Sequence, residues 1–366
     1  MPVRVTDCCE RIFADPEIYR IRLPFTNIGA GVSNCYLVRS GSEWLMVDSG
    51  AAGMANRRRL AESMRVVGFD HRKATAFLTH AHFDHAGLMT DVLGYSTVLM
   101  VSRTAYESRS LHAGDLQRLF IRRMLAMGAS MDEACSYAAV NSESAVLDLR
   151  SLNMVFAEDG DVFAVGSLTF EVLATPGHTA DHLSLFCRES GLLFSGDAVL
   201  KRSAPSLDSQ PGCEDALRTY FDTLGRLLSV PVSYALPGHG EVLGGPEAFR
   251  SQPLQEALNA RGASEPSECA FHEAIHAGMR KKAVKLERVS AAVIEAPFAN
   301  GQQIARIVNG RRSAESWYAA DATLRYYALL ETFVLLQHLV AAGDLMRVVD
   351  DDGVYRYAVN GAWNLI

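Results

Sequence analysis

Up to about residue 245 the chain alternates short apolar runs with polar, glycine-rich breaks. Asn34 to Val38 (NCYLV) and Trp44 to Val47 (WLMV) read as a strand pair joined by the polar turn RSGSE, and VDSGAAG then ends the second strand in glycines. Apolar runs at 75–79, 96–102, 168–174, 182–187, 191–195 and 232–236 predict further strands. Residues 55–67 predict a helix. A second, over 213–229, carries Leu217, Tyr220, Phe221, Leu224, Leu227 and Leu228 on one stripe, the spacing of a helix packed on a sheet. Strands mixed with helices in this order predict a layered α/β domain.

Two stretches depart from that rhythm. Residues 104–150 lie between strand regions and carry a helical period, with Leu116, Leu119, Phe120, Met124 and Met127 on one side. This insertion reads equally as a core helix or as a lid, because methionine-rich amphipathic helices suit adaptable apolar pockets. Residues 251–270 are polar, with few bulky apolar side chains, and read as a linker. After it, 271–295, GQQIARIV and 321–342 predict three helices, and DLMRVVDDDGVYRYAV predicts a β-hairpin about an Asp-Gly turn. Three helices followed by a hairpin give a winged-helix outline. The expected organisation is a catalytic domain over 1–250, the linker, and a helical winged-helix-like domain over 271–366.

Composition narrows the classes. A length of 366 residues has room for two domains, and 49% hydrophobic with 21% charged residues is ordinary globular usage, which excludes a disordered or collagen-like chain. The formal charge of −7 argues against a chain built to bind a phosphate backbone. Residues 271–366 carry eleven Lys and Arg against ten Asp and Glu, and the wing VVDDDGVYRY is acidic where a DNA-binding wing is basic. The tail is therefore expected to pack on the catalytic domain or on another subunit, in which case a homodimer forms, and nucleic acid is not an expected partner. No apolar run is long enough to span a membrane, and Asp7, Glu10 and Arg11 interrupt the place a signal peptide would need. The seven cysteines form no C-x-x-C pair, so free thiols and a cytoplasmic location are expected.

The chemistry is concentrated in Thr79-His80-Ala81-His82-Phe83-Asp84-His85-Ala86-Gly87, directly after an apolar strand. Imidazole nitrogens and carboxylate oxygens suit divalent zinc, iron or manganese. If the stretch stays extended, alternation points 80, 82 and 84 one way, and His85 turns with the chain. Three further segments repeat one local design: Pro176-Gly177-His178, Ser195-Gly196-Asp197 and Pro237-Gly238-His239 each end an apolar strand with a ligand-type residue beside glycine. One Pro-Gly-His alone is more often a turn, but the segments at four strand ends support one another.

HAHFDHAG, PGHT, SGDA and PGHG in that order, with VDSG before them, resemble the metallo-β-lactamase fold hydrolases over roughly residues 20–245. The resemblance implies an α/β fold of the αββα sandwich type. It implies two divalent metal ions, zinc first with iron or manganese as alternatives. His80, His82 and His178 would hold the first ion, Asp84, His85 and His239 the second, and Asp197 would bridge them. An aspartate bridge is similar to the glyoxalase II, lactonase and phosphodiesterase branches.

The implied mechanism is attack by a metal-bridging hydroxide, with Asp84 orienting it and taking its proton. The expected activity is hydrolysis of an acyl thioester, ester or lactone, a small-molecule substrate with a hydrophobic moiety. The alternatives are a nuclease or phosphodiesterase, or an iron-dependent enzyme similar to persulfide dioxygenases. Asp48 is expected to orient the site from beneath. His182 is expected either to support it or merely to bond backbone. His71, His112, His272, His276 and His338 have no partner at metal spacing, and Arg118, Arg122 and Arg123 read as a solvated helix face.

Overall fold

A computed structural model describes residues 3–26, 31–110, 113–141, 149–201, 203–208, 213–244 and 270–361. Eight strands form one sheet in chain order, from Val3–Arg4 to Asn153–Phe156. Five form a second, with Tyr234–Pro237 at one edge, then Leu192–Gly196, Leu183–Cys187, Leu168–Ala174 and Val162–Val165. The two sheets face each other. Phe13, Ile18, Tyr36, Val38, Leu45, Val47 and Phe77 of the first meet Phe170, Val172, Leu185, Phe194 and Leu236 of the second in one dry layer.

Period-two alternation sends the intervening residues outward. Leu37, Trp44, Met46 and Ala76 pack on Leu60 and Met64 of the helix Met54–Val67. On the other side Leu173, Phe186 and Leu193 pack on Leu217, Tyr220 and Leu224 of the helix Ala216–Leu227. All five residues of Leu183–Cys187 are buried, as a strand covered on both faces requires. The result is a four-layer sandwich, helix–sheet–sheet–helix. The predicted strands are all present within a few residues of their expected ends, and helix 213–229 spans Ala216–Leu227, started by Asp215, whose side chain accepts from Arg218 N. The N-terminal strands Cys9–Ala14 and Glu17–Phe25 were not expected from the sequence.

The insertion is three helices, Arg103–Ser110, Ala113–Ala126 and Met131–Asn141. The continuous period read through 116–140 is interrupted at Gly128, whose φ of 89° turns the chain before Ser130 starts the next helix. The 251–270 linker lies outside the described residues, apart from Ala270, which begins the helix Ala270–Glu295. The helices Gly301–Val308, Ala314–Tyr318 and Ala322–Ala341 follow, then the hairpin Leu345–Val349 with Tyr355–Val359. The short strand Ala299–Asn300 completes a three-stranded sheet. In this hairpin, Asp350 accepts from Val354 N at 2.9 Å and from Arg356 Nε at 2.8 Å, so part of its acidity serves the turn itself.

The C-terminal elements share a core with the catalytic layers rather than sitting apart. Phe271, Ile275, Phe333, Leu336 and Tyr357 are continuous with Leu217, Tyr220 and Leu193. The insertion is locked into the same core: Met124 and Met127 are fully buried, Gln302 N donates to Met127 O at 2.8 Å, and Gln302 Nε2 donates to Glu133 at 2.8 Å. Leu119 is exposed, contrary to its place on the predicted apolar side, and the side chain of Leu116 lies outside those described.

Candidate metal centre

The strand Ala74–Phe77 runs parallel to its neighbours and delivers the ligand cluster at its C-terminal end. The chain bends at Thr79 and His82 is extended, after which a helical turn, Phe83–Ala86, begins. Asp84 therefore projects from a helix rather than from the extended run read in the sequence, and His85 turns with the chain as expected. The second sheet brings the remaining residues to the same edge: His178 follows Leu168–Ala174, Asp197 follows Leu192–Gly196 and His239 follows Tyr234–Pro237. Cross-sheet hydrogen bonds fix these ends. Leu183 N donates to Thr79 O at 2.8 Å, Tyr36 OH to Pro237 O at 2.8 Å, and Asn34 N to Gly238 O at 2.7 Å.

All seven sequence-predicted residues converge. His80, His82 and His178 turn one nitrogen each toward a common point, with His80 Nε2 and His178 Nε2 both 3.0 Å from His82 Nδ1. Asp84, His85 and His239 form a second group, in which His239 Nε2 is 3.2 Å from Asp84 Oδ2 and 3.3 Å from His85 Nε2. Asp197 lies between the groups, 3.6 Å from His178 Nε2 and 3.4 Å from His239 Nε2 through Oδ2, and 3.6 Å from His85 Nε2 through Oδ1.

The far side of each ring is held by the protein. His85 Nδ1 bonds Asp48 Oδ2 at 2.8 Å, His178 Nδ1 donates to Ser206 O at 2.6 Å, and His239 Nδ1 donates to Val32 O at 2.8 Å. Thr79 donates to Asp48 and lies 3.1 Å from His80 Nδ1. Such outer partners fix which nitrogen faces the centre. Asp48 thus supports from beneath, at a strained φ of 59°. His182 supports as well: its Nε2 accepts from Asp197 N at 3.0 Å and its Nδ1 meets Thr175 Oγ1 at 2.7 Å. Asp181, which the sequence reading passed over, accepts from Ala81 N at 2.8 Å and pins the loop carrying His80 and His82. Its position between His178 and His182 was the available signal.

The donor set suits cations. Asp197 Oδ1 is buried with no hydrogen-bond partner among the described residues. Gly238 leaves room that a Cβ would take, 2.5 Å from that oxygen and 2.5 Å from His85 Cε1. Burial opposes charge on His85, but Asp197, Asp84 and Asp48 outweigh it and raise the ring to about 9. Burial is likewise outweighed at His239, where Asp197 and Asp84 raise the ring to about 11. Burial, with His178 next, pushes His182 down to about 3, so it stays neutral. The carboxylates call for positive charge, and the protein alone can meet that only by protonating ligand-type histidines.

A cavity of about 200 Å³ opens over five of the seven residues, His82, Asp84, His178, Asp197 and His239. Phe25, Phe83, Ser206 and Asp208 form its sides. Among the described side chains none of 104–150 lines it, and the helix Ala322–Ala341 supplies the roof residues Tyr326, Tyr327 and Leu330. The insertion backs that helix, with Phe120 and Tyr137 ring centroids 5.7 and 6.3 Å from that of Tyr326. Arg123 is not a free solvated cation: its Nη1 pairs with Asp208 at 2.8 Å, at the cavity side. His338 also has a partner, Asp215 at 3.0 Å, whereas His112 lies outside the described residues.

The family model for the metallo-beta-lactamase superfamily matches residues 28–239. The chain belongs to that superfamily. Among curated relatives, "Atrochrysone carboxyl ACP thioesterase" of Aspergillus fumigatus is 26% identical over 58% of this chain, which spans about half (51%) of that protein's length. "Probable metallo-hydrolase YqjP" of Bacillus subtilis is 29% identical over 66% of this chain and 77% of its own. A beta-lactamase domain protein from Burkholderia ambifaria superposes with a TM-score of 0.73 at 22% identity, covering 96% of this chain and 94% of that one, a likeness of fold. No helix among the described residues of this metallo-beta-lactamase superfamily member is long and apolar enough to cross a membrane.

Proposed function

We propose that the chain is a dinuclear metal-dependent hydrolase acting on an uncharged acyl thioester, ester or lactone. His80, His82 and His178 would hold one divalent ion, Asp84, His85 and His239 the other, with Asp197 between them. Zinc suits this nitrogen and oxygen set first, and iron or manganese would also be accepted by it. When bound, two such ions activate water at neutral pH and polarise the acyl oxygen.

The observation that carries the reading is the meeting of seven ligand-type side chains, five of which line one cavity whose described lining residues include no lysine or arginine. Beyond the ions themselves, the described lining offers a phosphate no side-chain cation, and Asp208 at its side is already paired with Arg123. The walls Phe25, Phe83, Tyr326, Tyr327 and Leu330 suit an apolar acyl part and keep bulk water from it. Asp84 opens onto the cavity and is held as a carboxylate: burial opposes this, but His85 and His239 outweigh it. It can accept the proton of the attacking water. Water adds its oxygen to the acyl carbon, the C–S or C–O bond breaks, and a carboxylic acid and a thiol or alcohol leave. The thioesterase name borne by one relative agrees with this class.

The test is a panel of acyl thioesters, lactones, bis-nitrophenyl phosphate and nitrocefin, ranked by kcat/KM on the metal-loaded protein. An acyl substrate is expected to rank first. A phosphodiester or nitrocefin in first place would overturn the acyl assignment.

A further inference from the structure

The roof of the cavity carries two phenols that the fold leaves unused. Tyr326 and Tyr327 are successive residues of the helix Ala322–Ala341, their rings 4.9 Å apart, and both line the cavity above the ligand cluster. Neither hydroxyl has a hydrogen-bond partner among the described residues, whereas several other phenols do: Tyr36 donates to Pro237 O, Tyr137 and Tyr318 to Glu133, and Tyr357 to Met127. A tyrosine removed from water ordinarily finds a partner for its O–H. Here two donors face a space that also holds Asp84 and Asp197. The ring of Tyr326 is buried against Phe120 and Tyr137 of the insertion, whereas Tyr327 is only half-buried and Tyr326 is its ring neighbour. Tyr327 is therefore the phenol less committed to packing and the better placed to meet a bound molecule.

We propose that Tyr327 is a substrate-contacting residue, its phenol O–H donating to the carbonyl oxygen of the acyl group while Tyr326 and Leu330 cover the acyl chain. This deepens the hydrolase reading and rests on it. The C–O bond of the acyl group gains negative charge on oxygen as water adds, so a fixed donor there is worth more in the transition state than in the bound substrate. The role also explains why the insertion and the C-terminal helices share one core with the catalytic layers. Phe120 and Tyr137 pack on the ring of Tyr326, and Leu329, Phe333 and Leu336 of the same helix are buried in the shared core, so the roof helix is held rather than hinged.

Tyr327→Phe removes the hydroxyl and keeps the ring. Because that hydroxyl bonds none of the described residues, the variant is expected to melt within a degree of wild type and to bind the same number of metal ions. With the best acyl thioester of the panel, kcat is expected to fall on the order of 100-fold with KM changed much less, the scale for removing one donor to a developing oxyanion. A second readout does not need turnover. The ketone analogue, with CH2 replacing the thioester sulfur, and its carbonyl-free counterpart are each titrated by calorimetry. Wild type should prefer the ketone by roughly 3–10-fold, the worth of one net hydrogen bond, and Tyr327→Phe should lose that preference while Tyr326→Phe keeps it. If wild type turns over no acyl substrate, the hydrolase reading fails. If wild type is active and Tyr327→Phe retains both kcat within twofold and the ketone preference, this assignment alone is overturned.

Discussion

Gly238 offers the sharpest perturbation of the ligand cluster, because it changes space without changing any ligand. It is not in the left-handed region, so alanine meets no backbone penalty there. The added methyl would lie 2.5 Å from Asp197 Oδ1 and 2.5 Å from His85 Cε1. Carbon atoms in ordinary contact sit about 3.5–4.0 Å apart, so these neighbours must retreat by on the order of 1 Å. Neither has an easy path. His85 is held from behind by Asp48, and Asp197 is tied through its backbone N–H to His182. The displacement therefore falls on the relation between the two ligand groups, where a site tolerates about 0.5 Å.

Gly238→Ala is expected to weaken the binding of at least one ion by about 10–100-fold, the range seen when the support of a ligand is lost. It should lower kcat by about 100-fold. Competition with a chromophoric chelator measures the first and steady-state kinetics the second. Gly225→Ala is the control: no atom lies within 4 Å of its Cβ, so it should leave both unchanged and raise stability by up to about 1 kcal/mol. A Gly238→Ala protein that binds metal with wild-type affinity and keeps its kcat would refute the claim that the crowded space between Asp197 and His85 is the metal centre.

Two further outcomes follow from the surrounding structure. Asp48→Asn exchanges an acceptor of the His85 ring for an amide and should reduce metal affinity about 10–100-fold while the protein stays folded; unchanged affinity by the same competition assay would remove Asp48 from its supporting role. Glu331 pairs with the buried Lys282 at 2.9 Å and also with Lys285. Burial raises its carboxyl, but the two lysines outweigh this and hold it below its ordinary 4.5. Its folded value is thus the lower one, so its stabilisation is present above about 4.5 and is lost as pH falls through the folded value. Glu331→Gln should cost about 3 kcal/mol at pH 7, with the gap narrowing in acid; urea unfolding at pH 7 and pH 4 showing an equal gap would contradict this.

What could be read in the sequence and what could not divides along a physical line. The ligand-type residues were legible because four crowd six positions after one apolar strand and the other three each stand beside glycine at a strand end, and strand ends in a layered α/β fold gather at one edge. Asp48 and His182 were half legible: their place near a ligand was visible, but only the fold shows that Asp48 reaches His85 and that His182 holds the backbone of Asp197. The roof was not legible. The helix Ala322–Ala341 buries residues on several faces, so its apolar period singles out no site-facing side, and Tyr326 and Tyr327 look like any core aromatics. The same apolar richness made the insertion resemble a lid, although Met124 and Met127 are spent on the shared core. The strands Cys9–Ala14 and Glu17–Phe25 were missed because charged residues interrupt their alternation. Arg20 is nonetheless buried, paired with Glu10 and Glu241.

The central claim is that this one cluster holds two ions bridged by Asp197. Metal content per chain, measured by elemental analysis after loading with zinc and removal of excess, tests it most directly. Two ions per wild-type chain are predicted, with at most one in Asp197→Ala together with loss of most activity. A wild-type chain that retains fewer than two ions, or an Asp197→Ala chain that keeps both and full activity, would contradict it.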